Sequence, residues 1–394
     1  MKIWEKGYSL DNEVEDFTVG DDHIVDMDLI VYDCIASKAH AQMLNSIGIL
    51  DDGEVKSLAG ALDEIISLVK KGEFEISKQD EDCHSAIENY LVKKCGEAGE
   101  KIHTGRSRND QVLTAIRLFE KDALEQIKQY SESLSKALKT VVEKYGNVEV
   151  PGYTHMQKAM PSSFGQWAKS FVYALADQSK LLDSVAALVD QSPLGTAAGY
   201  GVPIVKLDKE MTAKSMGFSR VQDNPIYAQL SRGKFEAEVL NACTQVMLVL
   251  NKMSSDLIMY SMSEFGFVTL PKEFCTGSSI MPQKINPDVL ELVRAKYHAV
   301  MADEFKVKSM IGNLISGYNR DVQLTKGALI DSVKTTLSSL SIMTKIVNGM
   351  SVNHEACKKA MTSELYATEK VYELVKDGMP FRQAYQKVAK GYVE

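Results

Sequence analysis

Four stretches of this sequence hold side chains that could move protons or grip anions. In GSSIMPQKINPD (277–288) a glycine and two serines make a pliable loop, and Lys284 and Asn286 then lead through Pro287 into a helix. A helix start offers free N–H groups and the positive end of a dipole, so anions are favoured there. Lys284 adds a full charge, and an alkoxide on Ser278 would be stabilised in such a field. A flexible surface loop with an incidental lysine fits that spacing equally well. HTGRSRNDQ (103–111) brings Ser107, Arg108 and Asn109 to the start of a long helix. Arginine holds carboxylates through two parallel bonds, and an asparagine amide can donate to the same group. Taken alone, the stretch reads better as a solvated basic cap. GYTHMQKAMP (152–161) sets Thr154 and His155 in a turn ahead of a helix, and histidine exchanges protons near neutral pH. A single loop histidine is more often a surface residue. YNRDVQLTK (318–326) places positions 319, 323 and 326 on one expected helix face, with Tyr318 beside them. An ordinary solvated face would look the same.

Long helices must position these stretches. Residues 111–145, 161–190, 233–264, 287–316 and 319–350 carry apolar residues at helical spacing. In the first, Val112, Ala115, Ile116, Phe119, Ala123, Leu124, Ile127, Leu134, Leu138, Val141 and Val142 form one stripe. Such helices span on the order of 45 Å and need partners along their whole length, so a helical bundle is expected, shared between subunits. Pro161 and Pro287 stand at or beside expected first helical positions, where a missing N–H costs little. Shorter helices are expected over 33–47, 54–71 and 80–95, and a small helical tail over 354–376 and 380–390. Strand signals are sparse. The expected division is an N-terminal helical domain (1–105), a central long-helix domain (106–353) and a short C-terminal domain (354–394).

Composition narrows the function classes. The 394 residues are 45% hydrophobic and 25% charged, in the ordinary globular range. A formal net charge of −8 argues against a general nucleic-acid binder, though a cleft can oppose the global sign. No window holds the roughly 18 consecutive apolar residues of a membrane span, and the acidic N-terminus lacks a signal peptide's apolar core. A cytoplasmic protein without membrane contact is expected. The six cysteines form no CxxC pair, and neither HExxH nor a nucleotide-binding glycine loop occurs, so no metal and no cofactor is expected.

Together the stretches are more specific than any one of them. HTGRSRNDQV, PGYTHMQKAMPSSFGQW, SPLG, GSSIMPQKINPD and YNRD-x-Q-x-x-K, in this order and spacing, resemble the argininosuccinate lyases of the fumarase/aspartase superfamily. The resemblance runs from about residue 4 to the last residues. It implies an all-α, three-domain fold whose long helices join in a homotetramer with a twenty-helix core. It also implies cleavage of argininosuccinate into arginine and fumarate, each active site being shared by three subunits. Ser278 and His155 then match the catalytic pair, and the roles of base and acid can be assigned in either order. Glu291 matches a carboxylate that orients the histidine. Lys284 and Asn286 match loop residues that stabilise the intermediate. Ser107, Arg108, Asn109, Thr154, Tyr318, Gln323 and Lys326 match substrate-binding positions, and His84 a supporting one.

The sequence departs from the family pattern in four places. The usual start reads IWEKGY (3–8), and FTVGDDHIVDMD (17–28) offers no counterpart for a substrate-contacting serine. The usual SDRDF segment reads LSRGKFE (230–236), which leaves its arginine without an assigned role. The last domain is short. Adenylosuccinate lyase is the alternative enzyme, against which HTGRSRNDQ argues. A silent, crystallin-like structural homologue is the other alternative, against which the intact serine, histidine, lysine and glutamate argue.

Overall fold

The computed structural model describes residues 11–392, so the IWEKGY start lies outside the described residues. The fold is all-α apart from three two-stranded ladders among the described residues. Five long helices dominate: Arg108–Tyr145, Phe164–Val189, Lys234–Ser261, Asp288–Ile311 and Thr325–Gly349. The first has 38 residues and spans about 57 Å. Of its expected apolar stripe, ten residues are buried and Val142 is half-buried. Among the described residues, no helix is long and apolar enough to cross a membrane.

Contacts divide the chain into two compact units, and the division passes through all five long helices. The first unit holds the residues up to Gln126 with Leu182–Ala242 and Met301–Lys334. Its shorter helices have sharp local causes. Asp52–Lys71 starts at a reciprocal cap, in which Asp51 accepts from the Glu54 N–H and Glu54 accepts from the Asp51 N–H. It ends at Gly72, whose φ of 71° closes the last turn. Leu58, Ala61, Leu62 and Ile65 give it one buried face. A core cluster of Ala36, Ala39, Leu118, Leu194, Ala213, Met216 and Phe218 packs the unit.

The second unit holds Ile127–Leu181, Cys243–Val300 and the residues from Thr335. Aromatic rings fill its core: Trp167 meets Phe171 edge-on at 5.4 Å, and Phe164 and Phe267 both meet Tyr260. An antiparallel hairpin, Glu149–Thr154 with Gln157–Ser163, belongs to this unit.

Two local expectations change. Pro161 does not open a helix: it lies in the second hairpin strand opposite Pro151, and the helix begins at Phe164. A two-stranded ribbon is all edge, so a residue lacking an N–H is tolerated in it. Residues 319–326 also do not form one α-helical face. Arg320–Leu324 is a 3₁₀ helix, and the long helix begins at Thr325. The threefold repeat aligns Arg320 with Gln323, and both donate to the Thr18 carbonyl, at 2.9 and 3.2 Å.

Candidate active site

The first unit contains a cavity of about 1180 Å³. Ser107, Arg108, Asn109, Tyr318, Gln323 and Lys326 all line it, although the two groups lie far apart in sequence. The geometry of 107–109 comes from the start of the first long helix. Ser107 precedes it, and its backbone N–H donates to Asp110 at 2.8 Å. Its hydroxyl accepts from the Asn109 N–H at 3.3 Å. Asp110 is fully buried and also accepts from the N–H groups of Gly195 and Ala197, at 3.0 and 2.9 Å. Burial pushes its carboxyl above the ordinary value, and these three donors and Arg106 hold it back in part. The SPLG segment thus serves to fix the helix start that carries Ser107, Arg108 and Asn109.

Two of the cavity's cations are already matched. Arg108 pairs with Glu81 at 2.9 Å and Asp82 at 3.4 Å, and donates to the Ser85 hydroxyl at 2.6 Å. Lys326 is buried against Asp26 at 2.6 Å and Asp22 at 3.1 Å. Burial alone would depress this ammonium; the two aspartates outweigh it and hold it above the usual lysine range. The segment 17–28 therefore contributes carboxylates and the Thr18 carbonyl. Asp22, Asp26, Glu81 and Asp82 also line the cavity, and sequence reading assigned none of them. Asp26 and Lys326 are 300 residues apart, and no local pattern connects them.

His84, also lining the cavity, donates from Nδ1 to the Asp33 carboxylate at 2.8 Å. Burial opposes its charge, but Asp33 and the neighbouring Asp82 and Asp26 raise its pKa above the ordinary value. Ligand-type atoms of Asp26, Cys83 and His84 lie within 4.8 Å of one another. Asp26 already accepts from the Lys326 ammonium and the Cys83 N–H, and the His84 Nδ1 is engaged by Asp33. The cluster reads as a hydrogen-bonded network rather than a metal centre.

The remaining expected residues belong to the second unit. Thr276–Gly277 pairs with Ile285–Asn286, and this short ladder closes the loop between them. Inside the loop the Ser278 hydroxyl oxygen accepts from the N–H groups of Ile280 and Met281, at 3.3 and 3.1 Å. Donors aimed at that oxygen favour its alkoxide. Lys284 is exposed, and Asn286 reaches the Gly277 carbonyl at 3.5 Å. Glu291 lies exposed in the first turn of Asp288–Ile311. Thr154 ends the first hairpin strand, and His155 forms the tip with Met156, at φ of 53° and 60°. His155 is exposed, and among the described residues no hydrogen bond joins its ring to Glu291 or Ser278.

A family model described as "Lyase" matches residues 10–302. The argininosuccinate lyase of Thermotoga neapolitana is 54% identical over 391 residues, covering 99% of this chain and 98% of that protein. The chain belongs to the argininosuccinate lyase family. The argininosuccinate lyase of Sorangium cellulosum is 43% identical, over 99% of this chain and 90% of the relative. Among solved structures, a fumarate-bound variant of EDDS lyase matches with a TM-score of 0.81 at 22% identity, covering 97% of this chain and 76% of that one. A class II fumarase from Schistosoma mansoni matches with a TM-score of 0.79 at 16% identity, covering 98% and 92%. At these identities the structures speak for the fold alone, and the fold is the one expected of this family.

Proposed function

We infer that this enzyme splits argininosuccinate into arginine and fumarate, as a carbon–nitrogen lyase of arginine biosynthesis. The full-length likeness to curated argininosuccinate lyases carries this reading. The cavity in the first unit suits it chemically. Argininosuccinate carries carboxylates and a guanidinium, and the cavity wall offers both arginine or lysine and carboxylate side chains.

The chemistry asks for three things. A base takes the proton from the carbon beside a succinyl carboxylate. Positive groups then hold the carboxylate, which gains a second charge as the carbanion forms. An acid finally returns a proton to the leaving guanidino nitrogen as the C–N bond breaks. Ser278 and His155 share the base and acid roles. Lys284, Asn286 and the loop N–H groups stabilise the intermediate. Glu291 orients His155, and Ser107, Arg108, Asn109, Thr154, Tyr318, Gln323 and Lys326 bind substrate. Proton transfer and charge stabilisation suffice, so this reading requires neither metal nor cofactor. The working form is a cytoplasmic homotetramer in which residues 107–109, 154–155 and 278–286 of three different subunits meet at each site.

The purified enzyme is expected to release fumarate from argininosuccinate and to leave adenylosuccinate intact; the reverse pattern would overturn the assignment. Ser278→Ala and His155→Asn should each lower kcat by a factor on the order of 10²–10⁴ while the protein stays folded by circular dichroism. Near-normal turnover in either variant removes that residue from the mechanism.

A further inference from the structure

Arg232, the arginine left without a role in the LSRGKFE segment, lines the same cavity of the first unit. It is 4% exposed, yet its Nε and Nη1 have no hydrogen-bond partner. Its guanidinium lies over the Tyr318 ring, 5.4 Å from the centroid. A ring face gives a cation some attraction but does not replace hydrogen-bond acceptors. The contrast with its neighbours is sharp. Arg108 meets Glu81 at 2.9 Å and Lys326 meets Asp26 at 2.6 Å, while Arg232 has no such partner. A buried guanidinium stays charged, so donors left without acceptors are costly unless a ligand supplies them.

The backbone is built to deliver this side chain. The Arg232 N–H donates to the Gln229 carbonyl at 3.2 Å. Gly233 follows at φ +79°, and a Cβ there would stand 2.2 Å from the Cγ2 of Ile311. Only glycine fits that turn, which sends Arg232 toward the cavity and buries Phe235 in the core.

We propose that Arg232 is a substrate-binding residue whose unpartnered guanidinium receives a carboxylate of the substrate beside Tyr318. This rests on the proposed function for the identity of the substrate. The carboxylate comes either from the arginine end or from the succinyl end, and the two reaction products separate these sources. Lysine keeps the charge but loses the planar set of N–H donors, so it does not replace arginine here.

The test compares the wild-type enzyme with Arg232→Lys and Arg232→Gln. Both variants should raise KM for argininosuccinate by about tenfold or more, with kcat changed far less, as for a group that binds ground state and transition state alike. L-arginine and fumarate are each added as inhibitors and as stabilisers against thermal unfolding. One of them should lose its effect in the variants while the other keeps it, and the lost one identifies the carboxylate. A merely structural arginine would lower stability without this selectivity. Unchanged KM together with equal protection by both products overturns the proposal. Should Arg232→Gln fail to fold, Arg232→Lys carries the same comparison. If the wild-type enzyme does not cleave argininosuccinate, the proposed function falls. Selective loss of protection by arginine or fumarate would then still support carboxylate binding at Arg232, and equal protection would still refute it.

Discussion

Side chains of opposite sign occupy each other across the cavity before any ligand arrives. Lys326 is held by two aspartates and Arg108 by Glu81 and Asp82, so these cations stand fixed in place. On the proposed function, fixed charges would lose little freedom on binding substrate, which favours the productive pose. His84 and Asp33 extend this network, and their pairing has a pH signature. The histidine's folded pKa is raised above its ordinary 6.5. The pair therefore contributes stability that is full below 6.5 and is lost as pH rises through the raised folded value. Asp33→Asn should destabilise the protein by about 3–5 kcal/mol at pH 6, the range for breaking a buried ion pair. Urea unfolding at pH 6 and pH 9 should show that gap narrowing at the higher pH. An equal gap at both would mean that Asp33 does not raise the His84 pKa. At this scale the sequence made Ser107, Arg108 and Asn109 legible as neighbours, since they are adjacent in the chain. It concealed their carboxylate partners.

At the scale of elements, the hairpin that presents His155 is the informative one. A two-residue turn of this kind needs positive φ at both central positions, a role suited to asparagine and glycine. Here His155 and Met156 fill it. A left-handed conformation costs a non-glycine residue roughly 1–2 kcal/mol. Met156 is 72% exposed and loses little packing when trimmed. Met156→Gly should thus stabilise the fold by about 0.5–1 kcal/mol in urea unfolding at fixed protein concentration, after the greater freedom of the unfolded glycine chain is subtracted. A lower or unchanged stability would show that the tip carries no such strain. The five long helices were legible because their apolar residues recur at helical spacing. The hairpin was not, because EVPGYT and QKAMPSS lack strict alternation and each contains a proline. The same limit hid the 3₁₀ turn at Arg320–Leu324, whose residues would suit an α-helix as well.

For the whole molecule, the proposed shared sites call for partner subunits. His155 is exposed at its hairpin tip, Ser278 is half-buried in its loop, and Leu292 and Phe305 on Asp288–Ile311 are 61% and 73% exposed. Exposed apolar residues on a long helix are the kind of surface that the proposed tetramer would cover. Mixing inactive Ser278→Ala and Arg108→Met enzymes, with subunit exchange, should therefore restore activity. Random reassembly of a tetramer leaves about a quarter of its sites with both groups intact when different subunits supply them. Recovery near that fraction of the wild-type rate is expected. No recovery after exchange is demonstrated by mass spectrometry would rule out sites shared in this way.

Periodicity and motif order, both properties of the chain read in one dimension, were enough to establish the helical class and the family. They could not decide which charges meet, because Coulomb attraction and desolvation depend on distance in space rather than along the chain. Folding alone set Asp26 against Lys326, Glu81 against Arg108, and Asp110 beneath the SPLG loop. It also left Arg232 buried in the cavity without an acceptor.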